Sequence, residues 1–249
     1  MKRKFTVSGL LLFAALYIKA ADKNLKLHYV FDNSKNDVIT DQTGNGYDGK
    51  LVNNAVVKKM GKYNVLDLGA NDGYLDMGTK TGDLITSLGD FSIATYLWVY
   101  PDANVRANGN FVFAFASDEK CSETKGQFVA YKVNIQRYEQ SLAGWKNELV
   151  GVEVKKPAEK GVWMHIVYSQ SGKTGTLYVN GKVVATSDAP LQPKDIDSPT
   201  LYNWLGKAPF PGDINLKAMY SDFRIYDRSL NSDEIRKLGN DLDGLNAVK

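Results

Sequence analysis

The chain has 249 residues, 43% of them hydrophobic and 24% charged, an ordinary globular mixture of a size that one all-β domain can fill. Its formal charge of +3 carries four cations at the N-terminus; removing Lys2, Arg3, Lys4 and Lys19 from the 31 basic residues leaves 27 against 28 acidic ones, a net of −1. That balance argues against a nucleic-acid partner, and one cysteine with two histidines leaves nothing for a metal finger or a disulfide scaffold.

Residues 1–20 carry three basic residues, an apolar run from Phe5 to Ile18 and a small-residue end at Ala20-Ala21. This is the three-part pattern of a secretory signal peptide, with cleavage expected after Ala20 and one mature domain over 21–249. The apolar run is shorter than the roughly 20 residues a spanning helix needs, so no transmembrane segment is expected. The expected location is export, to the periplasm, the extracellular space or the cell surface. A lone cysteine in an exported chain has no internal partner, and Cys121 is expected in a loop or partly buried.

Period-2 patterning dominates the mature chain. Leu25–Phe31 alternates cleanly, and Asp41-Gln42-Thr43-Gly44-Asn45-Gly46 reads as a tight polar turn. Gly82–Leu88 suggests one turn of helix. Phe91–Val99, Asn110–Ala116, Gln127–Ile135, Leu149–Val154 and Val162–Ser169 are strand candidates. Thr176–Val179 and Lys182–Thr186 flank Asn180-Gly181, the pair that tolerates the positive φ angles of a type I′ hairpin turn. Leu201–Gly206 and Met219–Tyr226 complete the strands. Asn231–Leu238 is the one clear helix, with Asn231 as cap, Glu234 reaching back and Gly239 as stop. The polar tail Asn240–Lys249 is expected to fray. Many short strands separated by Gly and Asn predict an all-β, two-sheet antiparallel sandwich with a short C-terminal helix.

Four blocks sharpen that expectation. They are Leu27–Asp32 with Asp41–Gly49, Phe91-Ser92-Ile93 leading to Trp98, Trp163–Val167 leading to Leu177–Gly181, and Ser221–Leu230 with Glu234-Ile235. In this order and spacing the chain resembles the laminin-G-like, concanavalin A-type jelly-roll domains of exported bacterial proteins. The resemblance implies a calcium site composed of Asp32, Asp41, Asn45 and Asp222, oxygen donors of the kind calcium prefers. Asx side chains that bond only their own turn are the alternative.

Catalytic signatures are scarce. Hydrolases sharing this fold carry E-x-D-x-x-E or E-x-D-x-E on a strand, and the chain has neither. Glu148 and Glu153 are five apart, which on a regular strand puts them on opposite faces. His28 and His165 sit inside strand patterns; His165 is expected to be structural, and His28 either structural or on the solvent face. Ser171-Gly172-Lys173-Thr174 imitates a phosphate loop, but Val167 stands where its first glycine belongs. Among the aromatics, Trp98, Trp163 and Trp204 fall in strands and are expected in the core. Trp145, in a polar stretch after Gly144, is the candidate sugar platform. Tyr138 joins it if a turn brings the two together, and Phe210 is a further loop contact.

The resemblance therefore implies an exported, non-catalytic carbohydrate-binding protein working on the glycans of polysaccharide utilisation, with no organic cofactor. A site of stacking and a few hydrogen bonds would bind in the micromolar to millimolar range, about 4–8 kcal/mol. A protein-docking or scaffold module is the alternative, and a glycoside hydrolase with a displaced site a further one.

Overall fold

The computed structural model describes residues 22–248 except 33, 36 and 71. The expected signal peptide at 1–20 lies outside the described residues. In chain order the elements are β1 (Leu25–Tyr29), β2 (Ser34–Lys35), β3 (Val38–Ile39), β4 (Gly49–Val52), β5 (Val56–Met60), β6 (Tyr63–Asp67) and β7 (Tyr74–Asp76). Then come α1 (Lys80–Ile85), β8 (Phe91–Val99), β9 (Phe111–Ala116), β10 (Phe128–Lys132), β11 (Arg137–Ser141) and β12 (Leu149–Glu153). The last are β13 (Trp163–Ser171), β14 (Thr174–Val179), β15 (Lys182–Asp188), β16 (Tyr202–Leu205), β17 (Ala218–Tyr226), α2 (Ser232–Leu238) and α3 (Leu242–Ala247).

The strands form two antiparallel sheets, as expected. One runs β15-β14-β13-β8-β17-β6-β5, with β1 paired to the C-terminal half of β17; the other runs β12-β11-β10-β9-β16-β7-β4-β3-β2. Alternation puts Leu27, Tyr29, Ile93, Leu97, Phe113, Phe115, Val129, Tyr131, Leu205, Tyr220 and Ile225 between them as one core. Tyr220 ties the layers together: its hydroxyl donates to the carbonyl of Val112 in the facing sheet at 2.8 Å. At one margin the sandwich closes, where Ser187 of β15 bonds the carbonyl of Gly151 in β12.

The β14–β15 hairpin turns on Asn180 at φ 52° and Gly181 at φ 73°, the left-handed pair its sequence requires. Helix α2 begins with the expected box: Asn231 accepts from the N–H groups of Asp233 and Glu234, and Glu234 accepts from Asn231 N–H. The expected frayed tail is corrected. Residues 242–247 form α3, which buries Leu245 against Val65, Tyr96 and Trp163. Asn246 accepts from Trp163 N–H at 2.9 Å and donates back to its carbonyl at 3.2 Å. A side-chain amide supplies the strand ladder's missing partner, so polarity there marks a dock.

Both outer faces are partly covered. Helices α2 and α3 lie on the eight-stranded sheet, over Ala94, Val167 and Tyr226 on one side and Tyr96, Trp163 and Met219 on the other. Loops 117–126 and 206–213 lie on the nine-stranded sheet, over Phe111, Ala114, Phe128 and Ala130. Cys121, on the first of these loops, is buried against the sheet, and burial pushes its thiol up to about 12. It is an inert packing residue.

Candidate functional site

The nine-stranded sheet presents Lys132 of β10 and Arg137 of β11, paired across the ladder, on its outer face. Loops rise on either side. Trp145 and Glu148 come from the β11–β12 connection, Phe210, Pro211 and Asp213 from the β16–β17 connection, and together with Asn108 they enclose a cleft of about 460 Å³. Trp145 is 43% exposed on its wall. The loop that carries it is anchored, with Gly144 at φ 74° bonding the carbonyl of Gly126 and Trp145 N–H bonding that of Ser122. A side chain at 144 would run into Ser122 and Lys125, so only glycine lets the loop lie there. Phe210 packs edge-on to Phe111 and Phe128, at 5.7 and 5.1 Å between centroids, which fixes its position in the opposite wall.

Trp145 and Phe210 thus come together from sequence positions 65 apart. Tyr138 does not join them. It lies on the inner face of β11, fully buried and stacked 3.8 Å from Tyr168. Residues 137–141 form a regular strand, so the odd separation from Trp145 holds and no turn rescues it. The residues of β11 that do face outward are Arg137 and Glu139, which sequence reasoning passed over.

The pairing of Glu148 and Glu153 is the converse correction. Arg137 binds both, with NH1 2.7 Å from Glu148 Oε2 and Nε 2.8 Å from Glu153 Oε2. The register between β11 and β12 steps from Tyr138↔Val152 to Glu139↔Val150, leaving Gly151 as a one-residue bulge. One extra residue reverses strand parity, so an odd separation places both carboxylates on one face.

Beneath them Glu139 is completely buried. Its Oε2 lies 2.7 Å from Lys132 Nζ, an ion-pair contact without hydrogen-bond geometry, and its Oε1 has no hydrogen-bond partner within the protein. Burial foremost, then Glu148 beside it, hold its pKa well above the usual range, against the pull of Lys132. Burial also raises Asp213, with Lys132 again opposing. A carboxyl of raised pKa beside a cleft is a mark of acid–base chemistry. Glu139, however, has no exposed surface, so it cannot reach a glycosidic oxygen, and Glu148 and Glu153 share one guanidinium. The two carboxyls that do line the cleft, Glu148 and Asp213, stand in opposite walls.

The expected calcium ligands fall into separate sets. Asp41 is buried in its turn, accepting from His28 and Thr43 N–H at 3.0 and 3.1 Å, from the Thr43 hydroxyl at 2.7 Å and from Tyr47 N–H at 3.4 Å. Asn45 donates to the carbonyl of Lys26, and its own carbonyl receives Lys80 Nζ at 2.7 Å. Asp222 occupies a bulge of β17 at φ 54°, on the other side of β1, where Arg224 grips both its oxygens and His28 Nε2 lies 3.1 Å away. Asp32 is exposed, with one 3.5 Å contact from Gln42. Protein donors already fill the oxygens of Asp41 and Asp222, and among the described residues no three His, Cys, Asp or Glu side chains form a cage. As arranged, the four do not fit a single calcium ion.

His165 is buried within β13. It lies under the C-terminal helices against Tyr96, and burial lowers its pKa to about 4. Trp163 and Trp204 are buried and Trp98 half-buried. A second groove of about 430 Å³ runs between Val154, Met164, Val179 and Val184, and no aromatic ring lines it.

Residues 69–236 match the Laminin_G_3 family, described as the concanavalin A-like lectin/glucanases superfamily. No curated protein matches the chain. Among solved structures, domain 4 of AbnA, a GH43 extracellular arabinanase from Geobacillus stearothermophilus in complex with arabinotriose, is similar at TM-score 0.65 and 16% identity, over 87% of this chain and 98% of that one. Trypanosoma rangeli sialidase in complex with sialic acid is similar at TM-score 0.57 and 16% identity, over 89% of this chain and 33% of that one. The binding domain of botulinum neurotoxin DC in complex with SialylT gives TM-score 0.57 and 13% identity, over 88% of this chain and 52% of that one. The chain thus spans about a third of the sialidase and half of the toxin domain. At these identities the likeness establishes the fold. No helix among the described residues is long and apolar enough to cross a membrane.

Proposed function

The chain belongs to the concanavalin A-like lectin/glucanase superfamily, and from that premise we propose that it is an exported, non-catalytic carbohydrate-binding protein whose site is the Trp145 cleft. The observation that carries this reading is Trp145 itself, a large ring left 43% exposed beside polar groups that could fix a sugar's hydroxyls. A flat ring takes the apolar face of a pyranose or furanose, while Glu148, Asp213 and Asn108 supply acceptors around it. The arabinotriose complex of the arabinanase domain, a structural relative along its whole length, supports a glycan as the partner. Export rests on the pattern of residues 1–20. The test is a glycan-array screen followed by calorimetry, with wild type and W145A side by side. Binding of one glycan class by wild type and its loss in W145A, at unchanged melting temperature, is the expected result. Covering about 70 Å² of ring at about 25 cal/mol per Å² makes that loss about 1.8 kcal/mol, or roughly 20-fold in Kd. Equal binding by both proteins would move the site elsewhere.

Edge strand β15 supports a second reading. Val183 and Val184 stand 55% and 42% exposed on the last strand of its sheet, whose outer side meets β12 at Ser187 and pairs with no strand. Such an edge accepts a strand from a protein partner. If every glycan fails, pull-down with wild type and a V183K/V184K variant tests this surface.

A further inference from the structure

Charge in the cleft determines which glycans can enter it. Its two cations are already matched. Lys132 Nζ contacts Glu139 at 2.7 Å, and the Arg137 guanidinium is held by Glu148 at 2.7 Å and Glu153 at 2.8 Å. Lys146, beside Trp145, is paired with Glu123. On the opposite wall Asp213 is half-buried and has no ion-pair partner among the described residues. The lining itself holds two cations, Lys132 and Arg137, and two carboxylates, Glu148 and Asp213; with Glu139 and Glu153 behind it the cluster carries more carboxylates than cations, and the cation over the Trp145 ring, Lys146 at 5.6 Å, is the one paired with Glu123. Hydroxyls donate readily to carboxylates, and such charge-assisted bonds are the strong ones. An incoming carboxylate would find like charge at Asp213 and would have to displace Glu148 or Glu153 to reach Arg137.

We infer that the cleft selects uncharged, hydroxyl-rich glycan segments and turns away chains bearing uronic or sialic acids. Glu148 and Asp213 accept hydroxyl donors from opposite walls while Trp145 carries the ring. This selectivity rests on the lectin reading above, and the test separates the two. The protein is titrated calorimetrically with oligosaccharides of matched length. Arabino-, xylo-, galacto- and manno-oligosaccharides form the neutral set; oligogalacturonides and sialyllactose form the acid set. Each titration is run at about 20 mM and about 500 mM NaCl, where the screening length falls from over 20 Å to under 5 Å. Neutral ligands are expected to bind, with acid ligands at least about tenfold weaker, or about 1.4 kcal/mol. The gap should narrow at high salt and in D213N, whose folding is checked by its melting temperature. The salt comparison in wild type stands without the variant. An acid ligand that binds as tightly as its neutral counterpart would overturn the selectivity and leave the lectin reading intact. Failure of both sets would overturn the lectin reading and the selectivity with it.

Discussion

Asp222 offers a stability measurement whose sign and size follow from its surroundings. Desolvation alone would raise its pKa, but the bonds from His28 and Arg224 and the Arg224 charge outweigh it and hold the carboxyl at about 2 against an ordinary value of 3.8. At 1.36 kcal/mol per pH unit this preference for the charged form is worth about 2 kcal/mol. The side chain is still 26% exposed, so solvent screening reduces the figure to about 1–2 kcal/mol. Because the folded pKa is depressed, the contribution is present above the unfolded pKa and is lost as pH falls through the folded one, from about 4 to about 2. D222N isolates the charge, since asparagine tolerates the left-handed backbone that Asp222 adopts at φ 54°. Urea unfolding at pH 6 should show D222N less stable by about 1–2 kcal/mol, a fall of about 2–8 °C in Tm. At pH 2.5 most of the difference should vanish. An equal difference at both pH values, or none at pH 6, would show that the His28–Asp222–Arg224 cluster does not act through charge.

The β12 bulge should tolerate no side chain. A Cβ on Gly151 would come within 2.7 Å of Tyr138 Cδ1, so G151A should cost about 1–3 kcal/mol in urea unfolding, and a change under about 0.5 kcal/mol would refute the packing argument. Y220F removes the bond to Val112 across the sandwich. Gly206 N–H also serves that carbonyl, so the expected loss is only about 0.5–1.5 kcal/mol, and a loss beyond about 3 kcal/mol would mean that the hydroxyl does more than tie the layers. Calcium and chelator should give the same Tm, because protein donors fill the oxygens of Asp41 and Asp222. A ligand at 100 times its Kd would add about 2.7 kcal/mol, so an upward shift of several degrees with calcium would establish a cage there.

Local patterning alone specified much of this protein. Alternation marked the strands around Leu27, Phe91, Trp163 and Phe223, Asn180-Gly181 fixed a hairpin, and Asn231 with Glu234 fixed the start of α2. These signals reside in side-chain period and turn chemistry within a few residues, so they need no tertiary context. Short strands β4 to β7 were less legible, since three to five residues show little periodicity. The cleft was legible only in its pieces. Trp145 and Phe210 stood out as aromatics in loops, but it took folding to bring them to one hollow over β10 and β11. Arg137 was hidden because a lone arginine in a polar stretch carries no motif. Glu148 and Glu153 were misplaced because a bulge has no periodic signature and yet reverses every face beyond it. The same gap explains Asp222, whose oxygens were free for a cation in the sequence and are held by Arg224 and His28 in the fold. Local spacing sets which way a residue can point, but only long-range pairing decides what it meets there.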